Sequence, residues 1–538
     1  MLQITVRTFV ISKATKSLAA MLICGLLAGC SSGGSGQNQQ EPNASNSAVA
    51  SPPKPTPEPL PEFAQEFNKR SDGKAATLTV GASNLGTSLS DDNIGVSFEA
   101  TELSDPRWDP AAGNLDEMLI GLGQPGLRFG GNVLDREMFW TSTGEKAPKG
   151  KTLVTPQDLE RVMKTVKKID AKVTIGIPLG TYDPKRGADM AKHAAEIFGD
   201  HLVGISIGNE PNGYTNDARP GLRIREPSQW NEKKFVTQVR AYAKAIDQET
   251  GSEVPLVGPG VFDGSWMSAF LDAKLPNTTA LTQHYYATYD CSSEKIPGRG
   301  PEWQNLLDPV VSNSAKKMIG IGLDKAEAKK LPLWVEETGS TSCPGTNNTS
   351  RTHASALWTV DHIFDSARLG VERMNMHSML GACRGGAPMS VVCSAEGTGE
   401  LGAGQVLAQP NYLAMRLARL SVGSQFMKTT LSGDKNLQAY AVKAKNSRVL
   451  VTVVNKNDAA KISKNPVTVN VPQGYKATRA AQIHAPENGA IKATELTAIA
   501  PFAAKGSGVA KNASGKLQLD VAASSATTIE FTKQRAED

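Results

Sequence analysis

Between residues 94 and 377 the chain switches eight times from a short apolar, β-type run to a polar or helical stretch. The runs cover 94–99, 126–131, 172–179, 203–208, 254–258, 280–285, 331–337 and 371–377. Helical stretches lie between them, as in 155–170, 188–198, 230–249, 313–328 and 352–369. Eight strands with helical crossovers are the number that closes into a parallel barrel. The expected fold class is therefore α/β, a (β/α)8 TIM barrel over residues 91–422. A doubly wound open sheet is the rival. It would want a Gly-rich phosphate loop after the first strand, and none is present. It also leaves unexplained why polar residues gather at the C-terminal ends of so many strands.

After a last helical stretch, 410–420, the pattern changes. Some β-type runs are continuous, as in Val449-Leu450-Val451-Thr452-Val453-Val454. Others alternate, as in Thr527-Thr528-Ile529-Glu530-Phe531. Gly, Asn, Asp and Pro punctuate them. Residues 423–538 are expected to form an accessory antiparallel β-sandwich, with a strand at 75–90 joining it from before the barrel. No internal repeat is present.

The N-terminus reads as a targeting segment. Arg7, Lys13 and Lys16 precede an apolar stretch, about 18–27, too short to span a bilayer as a helix. Leu27-Ala28-Gly29-Cys30 resembles a bacterial lipobox, in which Cys30 is lipidated and residues 1–29 are a cleaved signal peptide. Residues 30–74, rich in Ser, Gly and then Pro, cannot bury a core and are expected to be a disordered tether. The expectation is an exported, bacterial membrane-anchored lipoprotein, in the outer membrane and periplasm or at the cell surface. Of the formal net charge of +5, the leader supplies three charges and no acid. No nucleic-acid motif or basic stripe appears, so no nucleic-acid partner is expected.

Cys24 falls in the leader and Cys30 at the lipid site. Cys291, Cys343, Cys383 and Cys393 remain. An even count in an exported chain suggests disulfides, and four cysteines allow three pairings. The preferred pairing is Cys291–Cys343, because both follow consecutive barrel strands, with Cys383–Cys393, because these bracket one loop. A metal site is the alternative, but no Cys-x-x-Cys spacing or nearby His pair supports it, and no metal is expected.

Two of the apolar runs end in carboxylates. Gly204-Ile205-Ser206-Ile207-Gly208-Asn209-Glu210 delivers Glu210 after the fourth strand. Leu333-Trp334-Val335-Glu336-Glu337 delivers a Glu at the end of the seventh. Two carboxylates facing each other across a barrel mouth are the apparatus of glycoside hydrolysis, which needs no cofactor. Asn209-Glu210-Pro211 alone also suits a helix or turn start. At the seventh strand Glu336 and Glu337 compete, since alternation sends one toward the axis and the other toward the helices. Glu337 precedes Thr338-Gly339, where the strand is expected to break into a loop, and is taken as the nucleophile. Glu336 is then a buried ion-pair or supporting residue.

Asn209-Glu210-Pro211 and Trp334-Val335-Glu336-Glu337-Thr338-Gly339 resemble the signature of clan A retaining glycoside hydrolases. Within that clan the chain is most similar to glycoside hydrolase family 79, the β-glucuronidases and heparanases. Ile94-Gly95-Val96-Ser97-Phe98-Glu99, Leu127-Arg128-Phe129-Gly130-Gly131-Asn132 and Met374-Asn375-Met376-His377 carry the further likeness, as does a β-sandwich built from both chain ends. The resemblance implies Glu210 as acid/base and Glu337 as nucleophile. It implies that Asn209 bonds the sugar 2-hydroxyl, and that Tyr286, with His284 before it, lies near the nucleophile. Arg128 would pair with the nucleophile from beneath. His377 and Asn132 would line the sugar site. The family usually has Asn two residues after the nucleophile, and this chain has Gly339. The loop Gly381-Ala382-Cys383-Arg384-Gly385-Gly386 offers backbone N–H groups and Arg384 for a substrate carboxylate. The implied activity is retaining hydrolysis of β-D-glucuronides or uronic-acid glycans. Hydrolysis of neutral β-glycosides, or a non-catalytic surface glycan-binding protein, are the alternatives.

Overall fold

The structure is a computed structural model that describes residues 58–215, 222–251, 254–290, 296–396 and 404–534. Eight parallel strands close into a barrel: Gly95–Glu99, Leu127–Gly130, Val173–Ile177, Leu202–Ile207, Leu256–Val261, Thr278–Thr288, Leu333–Thr341 and Arg373–Ser378, in that order, the eighth pairing with the first. Helices cover the outside, among them Pro156–Ile169, Pro184–Phe198, Glu232–Thr250, Gly264–Ala273, Pro309–Glu327 and His353–Leu369. Leu159, Val162, Val166 and Ile169 form the buried stripe of Pro156–Ile169 at 3.6-residue spacing, and Thr155 with Asp158 caps its start as a reciprocal capping box. Among the described residues no helix is long and apolar enough to cross a membrane.

The seventh strand corrects the sequence reading. It does not break at Thr338-Gly339 but continues to Thr341. Thr338 is fully buried, its hydroxyl donates to the Tyr285 carbonyl (2.6 Å), and Thr341 still pairs with Thr288. Glu336 sits instead in a bulge. Gln283 faces Val335 and His284 faces Glu337, so Glu336 is the extra residue that turns Glu337 relative to simple alternation.

Beside the barrel lies an eleven-stranded sheet. In spatial order its strands are Glu62–Phe63, Glu495–Ile499, Tyr475–His484, Ser525–Lys533, Val449–Asn455, Leu437–Ala444, Ser424–Ser432, Ala76–Leu89, Lys464–Asn470, Lys516–Ala522 and Val509–Ala513. Leu78, Val451, Val469, Leu519 and Phe531 form a second core within its fold. The expectation of an antiparallel sheet needs correction at two places. Ala76–Leu89 runs parallel to Lys464–Asn470, and Glu62–Phe63 runs parallel to Glu495–Ile499. Glu62–Phe63 also corrects the tether, which ends before residue 74. Phe63 stacks on His484 (centroids 4.8 Å apart), and the buried Gln65 donates to the Asp520 carbonyl (3.1 Å). A Pro-rich neighbourhood hides this strand from a compositional reading. The expected signal peptide, Cys30 and the first part of the expected tether lie outside the described residues.

The other side of the sheet shares the barrel's core. Val442, Leu450, Val454, Ile483 and Ala526 belong to one apolar cluster with Leu357, Ile363 and Phe364 of His353–Leu369. That helix is buried along nearly its whole length, sandwiched between barrel and sheet.

Candidate active site

The site grows from the C-terminal ends of the barrel strands. On the second strand, Arg128 lies 1% exposed, and its guanidinium folds back over Gly130. A Cβ at Gly130 would sit 2.3 Å from Cζ of Arg128, so the glycine is what lets the arginine lie along its own strand. Gly131 follows at φ 73°, and a Cβ there would meet Oε2 of Glu99 at 2.1 Å. The Arg-x-Gly-Gly stretch is thus a steric requirement of the site.

Arg128 ties three strands together. Nη1 donates to Oε2 of Glu337 (2.6 Å) and to Oγ of Ser97 (3.0 Å), and Nη2 donates to Oδ1 of Asn209 (2.6 Å). Because Asn209 spends its oxygen on Arg128, its amide nitrogen is the group left over; Nδ2 is buried and without a protein partner. The Asn209 backbone N donates to Oδ2 of Asp135 (2.8 Å), whose Oδ1 accepts from the backbone N of Leu179 and Gly180. Asp135 so pins the ends of the third and fourth strands to each other.

After the fourth strand Gly208 takes φ 79° and Glu210 takes the left-handed region, φ 46°, ahead of a single 3-10 turn, Pro211–Gly213. That turn is the kernel of truth in the helix-start alternative. The backbone N of Glu210 donates to the Gly260 carbonyl (3.1 Å), and Trp230 Nε1 donates to the Pro211 carbonyl (2.7 Å), which hold the non-glycine residue in a costly conformation. Its carboxylate Oε1 meets Nδ1 of His284 (3.0 Å).

Glu337 is 3% exposed. Oε1 accepts from the Tyr286 hydroxyl (2.9 Å), and Oε2 from Arg128. Ligand-type atoms of Glu210, His284 and Glu337 all lie within 4.8 Å of one another. Burial pushes the Glu337 carboxyl up, but the charges of His377, His284 and Arg128, with the Arg128 hydrogen bond, outweigh it and hold the carboxyl well below the usual carboxylate range. Burial, then the Glu337 and Glu210 charges, push the Tyr286 phenol well above its ordinary value, so Tyr286 remains a donor. The trio has the spacing of a cation site. Yet both Glu337 oxygens already accept bonds, and the Arg128 guanidinium neutralises it, which disfavours a divalent ion there.

His377, on the eighth strand, is 3% exposed, with Nε2 3.4 Å from Oε1 of Glu99. Burial lowers its affinity for a proton, but Glu337 and Glu99 more than compensate and raise its pKa to about 9. It is a cation beside Glu337 at neutral pH. Glu102, just past the first strand, accepts from the Leu380 backbone N (2.5 Å), while its Oε2 is buried without a partner. Burial pushes the Glu102 carboxyl up to about 8, against the Leu380 hydrogen bond.

The structure therefore brings Glu210, Glu337, Asn209, Tyr286, His284 and Arg128 into one network, with His377 at its edge. Two expected ligands stand apart. Asn132 is exposed, and its Oδ1 accepts from Arg136 (3.1 Å). Arg384 is exposed on the loop closed by the Cys383–Cys393 disulfide. Cys343 is disulfide-bonded; Cys291 lies outside the described residues. Sequence reasoning passed over Asp135, Ser97, Glu99 and Glu102. Glu99 carried a signal, since it too ends an apolar strand in a carboxylate. Asp135 carried none.

No protein-family model matches the chain. Over 381 residues it is 23% identical to baicalin-beta-D-glucuronidase of Scutellaria baicalensis, spanning 70% of this chain and 62% of that protein. It is 25% identical over 346 residues to a hyaluronoglucuronidase of Hirudo nipponia, spanning 56% of this chain and 66% of that one. The chain thus spans less than two thirds of the length of these curated relatives. Among solved structures, the fold matches that of a 4-O-alpha-L-rhamnosyl-beta-D-glucuronidase from Fusarium oxysporum 12S with a TM-score of 0.62 and 18% identity, over 84% of this chain and 99% of that one. At that identity the likeness concerns the fold: a TIM barrel with an accessory β domain.

Proposed function

We propose that the protein is a retaining β-glycosidase acting on β-D-glucuronides or glycans that contain uronic acid. The observation that carries the reading is the pair Glu210 and Glu337, with carboxylate oxygens within 4.8 Å at the mouth of a closed barrel. Retaining enzymes hold their two carboxyl groups about 5–5.5 Å apart, and inverting ones leave room for a water, at about 6.5–9.5 Å. Glu337, ionised and aligned by Arg128 and Tyr286, attacks the anomeric carbon while Glu210 gives its proton to the leaving oxygen. Water, deprotonated by Glu210, then opens the glycosyl–Glu337 ester, and the configuration is retained. Asn209, its oxygen held by Arg128, offers Nδ2 to the 2-hydroxyl. His284 orients Glu210.

The uronate part of the reading rests on the glucuronidases among the similar proteins. His377 adds a buried cation beside Glu99 and Glu337, which a substrate carboxylate could meet. The test is hydrolysis of 4-nitrophenyl β-D-glucuronide beside the β-D-glucoside and β-D-xyloside, with the anomer of the first product followed by NMR. Cleavage of the glucuronide with a β-anomer released first is expected, and Glu337→Ala should lose at least about 10³-fold in kcat. Cleavage of a neutral glycoside alone would keep the mechanism and sink the uronate. An α-anomer would sink the double displacement. We also infer a lipid anchor at Cys30; a Cys30→Ser chain that stayed with the membrane fraction would count against it.

A further inference from the structure

The Tyr286 hydroxyl donates to Oε1 of Glu337 (2.9 Å), and that bond depends on where the ring that carries it lies. Two residues that touch neither carboxylate set the ring's place. Tyr286 and Gly339 are register partners on the sixth and seventh strands. A Cβ at Gly339 would sit 2.9 Å from Cε1 and 3.3 Å from Cδ1 of Tyr286, too close for either to stay where it is. The phenol ring therefore lies directly on the bare Cα of Gly339, two residues past Glu337. Arg299 holds the main chain of the same tyrosine. It is 5% exposed, its Nε donates to the Ala287 carbonyl (2.8 Å) and its Nη2 to the Tyr286 carbonyl. Its guanidinium also lies 4.3 Å from the ring centroid of Tyr289 and 5.5 Å from that of Tyr285. Charged donors on two successive carbonyls, with the donor itself set against two rings, resist any shift of the Tyr286 backbone.

We propose that Gly339 and Arg299 are positioning residues for the nucleophile, acting through Tyr286: Arg299 fixes its backbone, and the missing side chain at 339 fixes the tilt of its ring. The inference rests on the glycosidase reading above. With the backbone held, a Cβ at 339 is accommodated by the ring, and relieving the contact swings the hydroxyl at the ring's tip. O–H···O bonds run from about 2.5 to 3.0 Å, so a bond at 2.9 Å has little slack. Glu337 then keeps Arg128 on Oε2 and loses the donor that orients Oε1. Loss of Arg299 reaches the same end by freeing the Tyr286 carbonyl.

The experiment is a pair of double-mutant cycles on the 4-nitrophenyl β-glycoside of whichever sugar the unaltered protein cleaves. Gly339→Ala and Arg299→Gln are each made in the parent and in Tyr286→Phe. All three single variants are expected to lower kcat at least about tenfold, with KM within about twofold of the parent's. In the Tyr286→Phe background, adding either substitution should lower kcat less than about twofold further, because no hydroxyl is left to misplace. Residues that only support the fold would multiply the losses to about a hundredfold, which overturns the proposal. Parent-like kcat in Tyr286→Phe overturns it too. Where calorimetry shows that one of the two substitutions prevents folding, the other cycle decides; failure of both to fold overturns the proposal, because the residues then serve the fold. No cleavage of any glycoside by the unaltered protein sinks the glycosidase reading and the positioning role with it, whereas cleavage with multiplied losses sinks the positioning role alone.

Discussion

At the residue scale, charge placement decides which groups act. Glu337 keeps its negative charge in a buried place because Arg128, His284 and His377 surround it, and Tyr286 stays neutral because the same charge makes its ionisation unfavourable. Glu102 is the opposite case, a carboxyl raised from 4.5 to about 8 by burial. A raised carboxyl pKa means that the folded state holds a proton the unfolded chain releases. Its contribution to stability is therefore full below 4.5 and is lost as pH rises through the interval up to 8. Glu102→Gln keeps an acceptor for the Leu380 backbone N and cannot ionise. Its melting temperature should exceed the parent's above pH 8 and match it below pH 4.5. Equal melting temperatures across that range would show that Glu102 is not held protonated.

At the scale of elements, the strand ends are shaped by backbone that only particular residues permit. The bulge at Glu336 turns Glu337, the left-handed turn at Glu210 lifts its carboxylate toward His284, and Gly131 makes room for Glu99. Gly131→Ala combines an unfavourable φ of 73° with a Cβ placed 2.1 Å from Oε2 of Glu99. It should cost at least about 2 kcal/mol in a denaturant titration. It should also lower kcat, because Glu99 is the partner that holds His377. A stable variant with full activity would show that the second strand's exit is looser than its contacts imply.

At the scale of the whole molecule, the barrel and the sheet are expected to unfold together, because they share one apolar cluster. The helix His353–Leu369 is their common element. Asp361 on it accepts from Nζ of Lys456 (2.7 Å) and from the Tyr440 hydroxyl (2.7 Å), all three buried, and the His353 ring bonds Thr494 and the Ser524 carbonyl across the same boundary. Removing one partner of such a pair leaves the other charge uncompensated, at about 3–5 kcal/mol. Asp361→Asn should lower the melting temperature by several degrees in calorimetry while the parent shows a single transition. A parent with two separated transitions would mean that the sheet folds independently of the barrel.

Local pattern was enough to read the eight strands, their crossovers, the β-rich second domain and the carboxylates at two strand ends, because strand and helix burial impose their periods on neighbouring residues. Arg128, Asn209, Tyr286 and His284 were legible as candidates through motif resemblance. Which of them meet, and at which atom, was decided by contacts between residues far apart in the chain, such as Arg128 with Glu337 and Asp135 with Asn209. The continuation of the seventh strand past Glu337, the parallel entry of Ala76–Leu89 and the strand within a Pro-rich stretch also depended on partners that no local window contains. Asn132 and Arg384 stand outside the network for the same reason. Residue type suited them to sugar or carboxylate binding, but only closure of the barrel fixes which side chains reach its axis and which are left facing water.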